Sequence, residues 1–189
     1  MASYTGNEAA TQVAIPTSPT FFDFQIPDIK ELLGRSHPTE GPARGVRFHF
    51  DQARPMLPTQ LYVAATGRAN DMVDPSPAHA DVFKANGSSL TSTEFENVMS
   101  GNGALGNKAG SCVYFSKSVL ENQLLSGNIP DNSGQTLRLI VVEQTAFPDL
   151  FNLVAVRIDG NGQPQTVALL SDHPCPPSCN EEYSRGLLV

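Results

Sequence analysis

The sequence predicts an α+β fold, an antiparallel β-sheet with three or four short helices against it, on three observations. Segments such as Gly45 to Phe50 and Thr59 to Thr66 alternate apolar and polar residues, the period of a strand with one covered face. Short amphipathic runs begin and end on capping residues, which marks helices of two or three turns. The 15 Gly and 15 Pro, beside many Asn, Ser and Thr, supply frequent turns.

Taken in order, residues 1–20 are small, polar and broken by proline, and predict an extended N-terminal arm. Pro27 suits a first helical turn, Ile29, Leu32 and Leu33 share a face, and Gly34 ends the run, so a helix is expected at 27–33. Gly45 to Phe50 and Thr59 to Thr66 predict paired strands. Phe48 and Phe50 point inward on that reading, and Arg47 and His49 outward. Residues 67–90 show no sustained period and predict a loop, with one helical turn at 79–85. Thr91 and Glu94 stand at capping-box spacing and predict a helix at about 93–100. A glycine-rich loop at 101–110 leads to a short strand, Cys112 to Phe115. Ser116 or Ser118 then caps a helix that Gly127 closes. Three strands complete the domain at 135–143, 151–159 and 165–170, with Leu139 and Val141 inward, Arg138 outward, and a hairpin turn in Asp159 to Gln163. The domain spans 21–170, and 171–189 forms a tail rich in proline and cysteine.

A recurrence crosses these elements. Leu33 is followed by Arg47 and then Leu61, and Leu125 by Arg138 and then Leu153, at nearly equal intervals, each series reading helix, strand, strand. The pattern admits a pseudo-twofold helix-hairpin duplication, although a helix with a hairpin is a common unit.

Composition narrows the partners. A chain of 189 residues with a formal charge of −7 and no basic cluster repels phosphate backbones and anionic lipid, so neither nucleic acid nor membrane is an expected partner. The first sixteen residues lack Lys, Arg and a continuous apolar run, and no stretch approaches the roughly 20 apolar residues of a membrane span. A cytoplasmic location is the expectation. Three cysteines, an odd count, do not form a secreted disulfide framework.

The strongest chemical candidate is the C-terminal cluster. His173, Cys175 and Cys179 offer three zinc ligands, with Cys112, His37, His49 or His79 as a fourth. Pro176 and Pro177 favour an extended backbone that separates the two cysteines, so a stiff docked tail with unbonded thiols and a Cys175–Cys179 disulfide stand beside the metal. Asn70, Asp71 and Asp74 follow a strand and could hold a hard cation, but Asn and Asp also end strands as ordinary turns. Cys112 lies in an apolar strand, as an inert buried thiol does. His49 reads as a half-exposed strand histidine. The glycines of 101–110 precede a strand rather than a helix and do not make a phosphate loop.

The segments "IKELL" (29–33), "GVRF" (45–48), the pair Asn70-Asp71 and "PCPPSC" (174–179) together resemble a loose group of short uncharacterised bacterial proteins. There an Ile-x-x-Leu-Leu helix precedes a Gly-Val-Arg-aromatic strand, and the chain closes on Cys-Pro-Pro-x-Cys. The resemblance implies a fold and no activity. The functional expectation is a non-catalytic binding or structural module, acting through its loops and its arm on a protein partner or on a second copy of itself. The alternative is a zinc-dependent or cysteine-based enzyme built on His173, Cys175 and Cys179, and the cofactor is otherwise unknown from the sequence.

Overall fold

The computed structural model describes residues 10–37, 41–51, 56–66, 81–85, 87–91, 93–94, 112–130, 133–143, 151–171 and 174–175. The strands are β1 (Thr11–Val13), β2 (Phe21–Gln25), β3 (Ser36–His37), β4 (Gly41–Pro42), β5 (Gly45–Phe50), β6 (Leu61–Thr66), β7 (Asp81–Lys84), β8 (Ser89–Thr91), β9 (Cys112–Ser116), β10 (Thr136–Glu143), β11 (Phe151–Ile158), β12 (Ala168–Leu170) and β13 (Pro174–Cys175). Helix α1 spans Ile26–Leu33, and α2 runs from Lys117–Val119 into a π turn at Leu120–Leu124. A five-stranded antiparallel sheet has the order β1-β12-β11-β10-β2, and a six-stranded one the order β13-β9-β5-β6-β7-β8, with β3 and β4 as a small ribbon.

The chain is thus mostly β, two antiparallel sheets with two short helices among the described residues, and the expected α+β fold of one sheet with three or four helices is corrected. One helical turn was expected at 79–85, but Asp81 to Lys84 is a strand with Val82 and Phe83 both buried. A strand between two covered faces carries no alternation, so its apolar pair looks like part of a helical turn until the neighbouring strand is known. The expected arm, residues 1–20, contributes β1, which pairs along β12 at the edge of the five-stranded sheet, and β2 follows it as the first strand of the expected domain. Phe22 and Phe24 alternate with Phe21, Asp23 and Gln25, and the segment pairs along β10 with Phe24 fully buried. Thr91 and Glu94 make the expected reciprocal bonds, Thr91 N–H donating to Glu94 Oε2 (2.8 Å) and Glu94 N–H to Thr91 Oγ1 (3.3 Å). Residues 95–100, the rest of that expected helix, lie outside the described residues.

One core fills the space between the sheets. It takes Val46, Phe48, Phe50, Leu61 and Val63 from the six-stranded sheet, and Leu137, Leu139, Val141, Leu153 and Ala155 from the other. Phe48 sits at its middle. The rings of Phe24 and Phe115 both meet it edge-on, at centroid distances of 5.4 and 5.9 Å. Such T-shaped contacts place the positive edge of one ring on the negative face of the next.

The connections explain this arrangement. Strand β2 precedes α1 and the β5–β6 hairpin, yet it pairs with β10; β9 precedes α2 and the β10–β11 hairpin, yet it pairs with β5. The registers correspond. A shift of 91 residues takes Gln25 onto Ser116 and Gly45 onto Thr136, and the structure pairs Gln25 with Thr136 and Ser116 with Gly45. At the far ends, Ala85 N–H donates to Leu61 O and Ser171 N–H to Leu153 O, each at 3.2 Å. The recurring unit is therefore not the helix with its hairpin. It also includes a leading strand, and that strand sits in the other half's sheet.

Local chemistry supports each helix. Ser116 Oγ accepts from Val119 N–H (3.2 Å) at the start of α2, and Lys117 Nζ donates to the Leu33 carbonyl at the end of α1 (2.7 Å). Leu125 N–H donates to Leu120 O (2.7 Å), the five-residue step of the π turn. That extra residue moves the buried set from Ile29, Leu32 and Leu33 in α1 to Leu120, Leu124 and Leu125 in α2.

Replacing Phe48 by Ala removes the ring shared by both halves and leaves a cavity, so urea unfolding should show a loss of about 3–5 kcal/mol. Phe21→Ala should cost far less, because Phe21 stays 44 % exposed and touches mainly the Arg138 guanidinium, 4.0 Å above its ring. Equal losses would contradict this account of the core.

Candidate functional site

The alternation along β5 holds: Val46, Phe48 and Phe50 face the core, and Arg47 and His49 face away from it. Both of the latter were expected near solvent, and both are enclosed instead, Arg47 at 2 % and His49 at 1 % exposure. The second face of the six-stranded sheet is therefore also covered. The neighbouring strands contribute Tyr62, Ala64, Val82, Cys112 and Tyr114 to it, all buried.

Register places these residues in two levels. At one, His49 stands opposite Tyr62 on β6 and opposite Cys112 on β9; Lys84 follows Tyr62, and Cys175 on the edge strand β13 stands opposite Cys112. At the next, Arg47 lies between Ala64 and Tyr114, its guanidinium carbon 5.8 Å from the Tyr114 ring centroid. Tyr114 donates its hydroxyl to Arg44 O (3.2 Å), and its carbonyl accepts from Ser171 Oγ (2.8 Å). The Asn152 amide donates to Ser171 O (2.7 Å), tying β11 to the same corner. Asp51, also buried, accepts from Thr59 N–H (2.9 Å) and from the Thr59 hydroxyl.

Burial sets the charge state. Desolvation first, and the positive Arg47 second, push the His49 pKa down from 6.5 to about 3, so the imidazole is neutral across the physiological range. A neutral imidazole can order hydrogen bonds or ligate a metal. It cannot hold the neighbouring sulfur of Cys112 as a thiolate by charge, which a cysteine–histidine nucleophile requires. Burial, and then Asp51, raise the Tyr62 pKa, which keeps that phenol protonated as well.

Of the proposed zinc ligands, His173 and Cys179 lie outside the described residues, and the backbone of Cys175 is placed against Cys112. Among the described residues no group of three or more His, Cys, Asp or Glu side chains gathers as a metal site. Asn70, Asp71, Asp74, His79 and residues 101–110 lie outside the described residues, and only the backbone of His37 is described. Asp159 serves its hairpin as expected, its Oδ1 accepting from Asn161 N–H (2.8 Å) and Gln163 N–H (2.9 Å), with Gly162 at φ +78°. Sequence reasoning missed the covered face. Its signal was in β6, where "LYVAA" offers apolar or aromatic residues to both sides of the sheet.

Comparison with protein families, curated proteins and solved structures finds no match. No helix among the described residues is long and apolar enough to cross a membrane.

The His49 shift carries a pH dependence. Its folded pKa lies below the unfolded value, so its stabilising contribution is complete above pH 6.5 and is lost as pH falls from 6.5 towards 3. The unfolding free energy of wild type, from urea titrations, should therefore fall relative to that of His49→Gln on acidification, by up to about 1.4 kcal/mol per pH unit. Parallel curves between pH 7.5 and 4 would show that His49 does not titrate in this way.

Proposed function

We propose that the protein is a non-catalytic binding module that acts through its N-terminal arm and loops on a protein surface. One contrast supports this reading. Among the described residues, His49 and Tyr62 are enclosed and held neutral, whereas large apolar side chains are exposed on the arm and the loops. Ile15, two residues beyond β1, is 45 % exposed, and Val167, one residue before β12, is 43 % exposed. Val13 pairs with Ala168, so both lie at the same end of that sheet edge. Met56 and Leu57 are exposed between β5 and β6. Single exposed apolar residues are ordinary, but two side by side on an edge pair make a surface that contact with another protein would cover.

The partner to test first is a second copy of the chain. Wild-type protein should show a concentration-dependent rise in sedimentation coefficient, and the double variant Ile15→Asp, Val167→Asp should lose it with an unchanged thermal midpoint. A wild-type monomer at every concentration would remove self-association.

One observation favours a second reading, a zinc-dependent or cysteine-based enzyme built on His173, Cys175 and Cys179. Cys175, Cys112 and His49 occupy one register level across three adjacent strands. Stoichiometric zinc by elemental analysis of the purified protein would put this reading first.

A further inference from the structure

The register of β13 brings together two cysteines that lie 63 positions apart in the sequence. Cys175 stands directly opposite Cys112 in an antiparallel pair, and Pro174 stands opposite Val113. Residues so paired have Cα atoms about 4.5 or 5.5 Å apart, depending on their hydrogen-bonding state, and both values fall within the span a disulfide accepts, about 4.4–6.8 Å. For a Cys175–Cys179 bond the sequence is less favourable, and Cys179 lies outside the described residues. Pro176 and Pro177 favour the polyproline conformation, which over four steps separates the ends by about 12 Å. Pro174 suits the outer strand of a sheet, because its missing N–H costs no ladder bond on the open side.

From this placement we propose that Cys112 and Cys175 are a redox pair that closes reversibly to a cross-strand disulfide, fastening the C-terminal strand to the six-stranded sheet. The oxidant is a small disulfide such as oxidised glutathione. The sulfur of Cys175, on the edge strand, attacks one glutathione sulfur as thiolate and releases the other as a glutathione thiol. Cys112 then loses its proton and attacks the mixed disulfide at Cys175, releasing the second glutathione. Two protein thiols and one glutathione disulfide become one protein disulfide and two glutathione thiols. Cys112, buried within β9, suits the resolving role. The bond constrains the unfolded chain across a long loop, so the oxidised form resists unfolding more than the reduced form. The proposal does not rest on the binding reading above, since it concerns β13 at the end of the six-stranded sheet and not the arm.

The test is peptide mapping of the full-length protein after equilibration with oxidised glutathione, alkylation of remaining thiols and digestion without reductant. The expected product joins the Cys112 peptide to the Cys175 peptide with loss of two hydrogens, and dithiothreitol abolishes it. Cys179→Ser should retain the cross-link, and Cys175→Ser should lose it. Oxidation should raise Tm on the order of 10 °C in wild type and leave Cys112→Ser unchanged. A Cys175–Cys179 bond, full alkylation of all three cysteines, or their retention by stoichiometric zinc would each overturn the proposal.

Discussion

Every other feature of this fold depends on the exchange of leading strands between its halves. β2 completes the sheet of the second hairpin and β9 that of the first, so neither sheet has its full set of strands until both halves are present. Phe24 and Phe115, one on each exchanged strand and 91 positions apart, meet on Phe48. The helices follow from the same constraint. Each begins on the residue after an exchanged strand and carries the chain from one sheet to the other. Gly45 marks how closely β5 and the exchanged strand β9 approach: a Cβ there would collide with the Phe115 carbonyl and come within 2.6 Å of the Tyr114 ring.

The same comparison shows how burial selects side chains. Arg138 on β10 corresponds to Arg47 on β5, and Asp23 on β2 to Tyr114 on β9. Arg138 holds Asp23 through two hydrogen bonds of 2.8 and 2.7 Å at a partly open edge, where water offsets the desolvation of both charges. At the enclosed position the carboxylate's place is taken by a tyrosine ring beneath Arg47. The negative face of that ring attracts the guanidinium. The polar strip around His49 thus takes its character from the covering of a second face as much as from the residues themselves.

Much of this was legible in the sequence, and the losses have physical causes. The α1 boundaries, β5, β10, β11 and the Asp159 turn follow from capping residues and two-residue alternation, which are local signals. The spacing of Leu33, Arg47 and Leu61 against Leu125, Arg138 and Leu153 marked equivalent positions. It could not reveal that the strands before them change sheets, because strand exchange is set by pairing partners far away in the sequence, such as Gln25 with Thr136 and Gly45 with Ser116. β7 was lost because a strand covered on both faces has no period. Arg47 and His49 were placed outward correctly in phase but not in environment, since alternation tells which face a side chain takes and not whether that face meets water. The expected count of helices, and with it the α+β class, failed for the same reason: short apolar runs do not distinguish a helical turn from a buried strand.

If the exchanged strands bind the halves into one unit, the two sheets cannot open separately. Native-state hydrogen exchange at increasing denaturant measures this most directly, through the amides of β5 and β6 in one sheet and β10 and β11 in the other. The account predicts that the most protected amides of both sheets converge on a single opening free energy with a single denaturant slope, equal to those of global unfolding. A set of β10 and β11 amides that exchanges through a separate opening of lower free energy and smaller slope, while β5 and β6 remain protected, would contradict it.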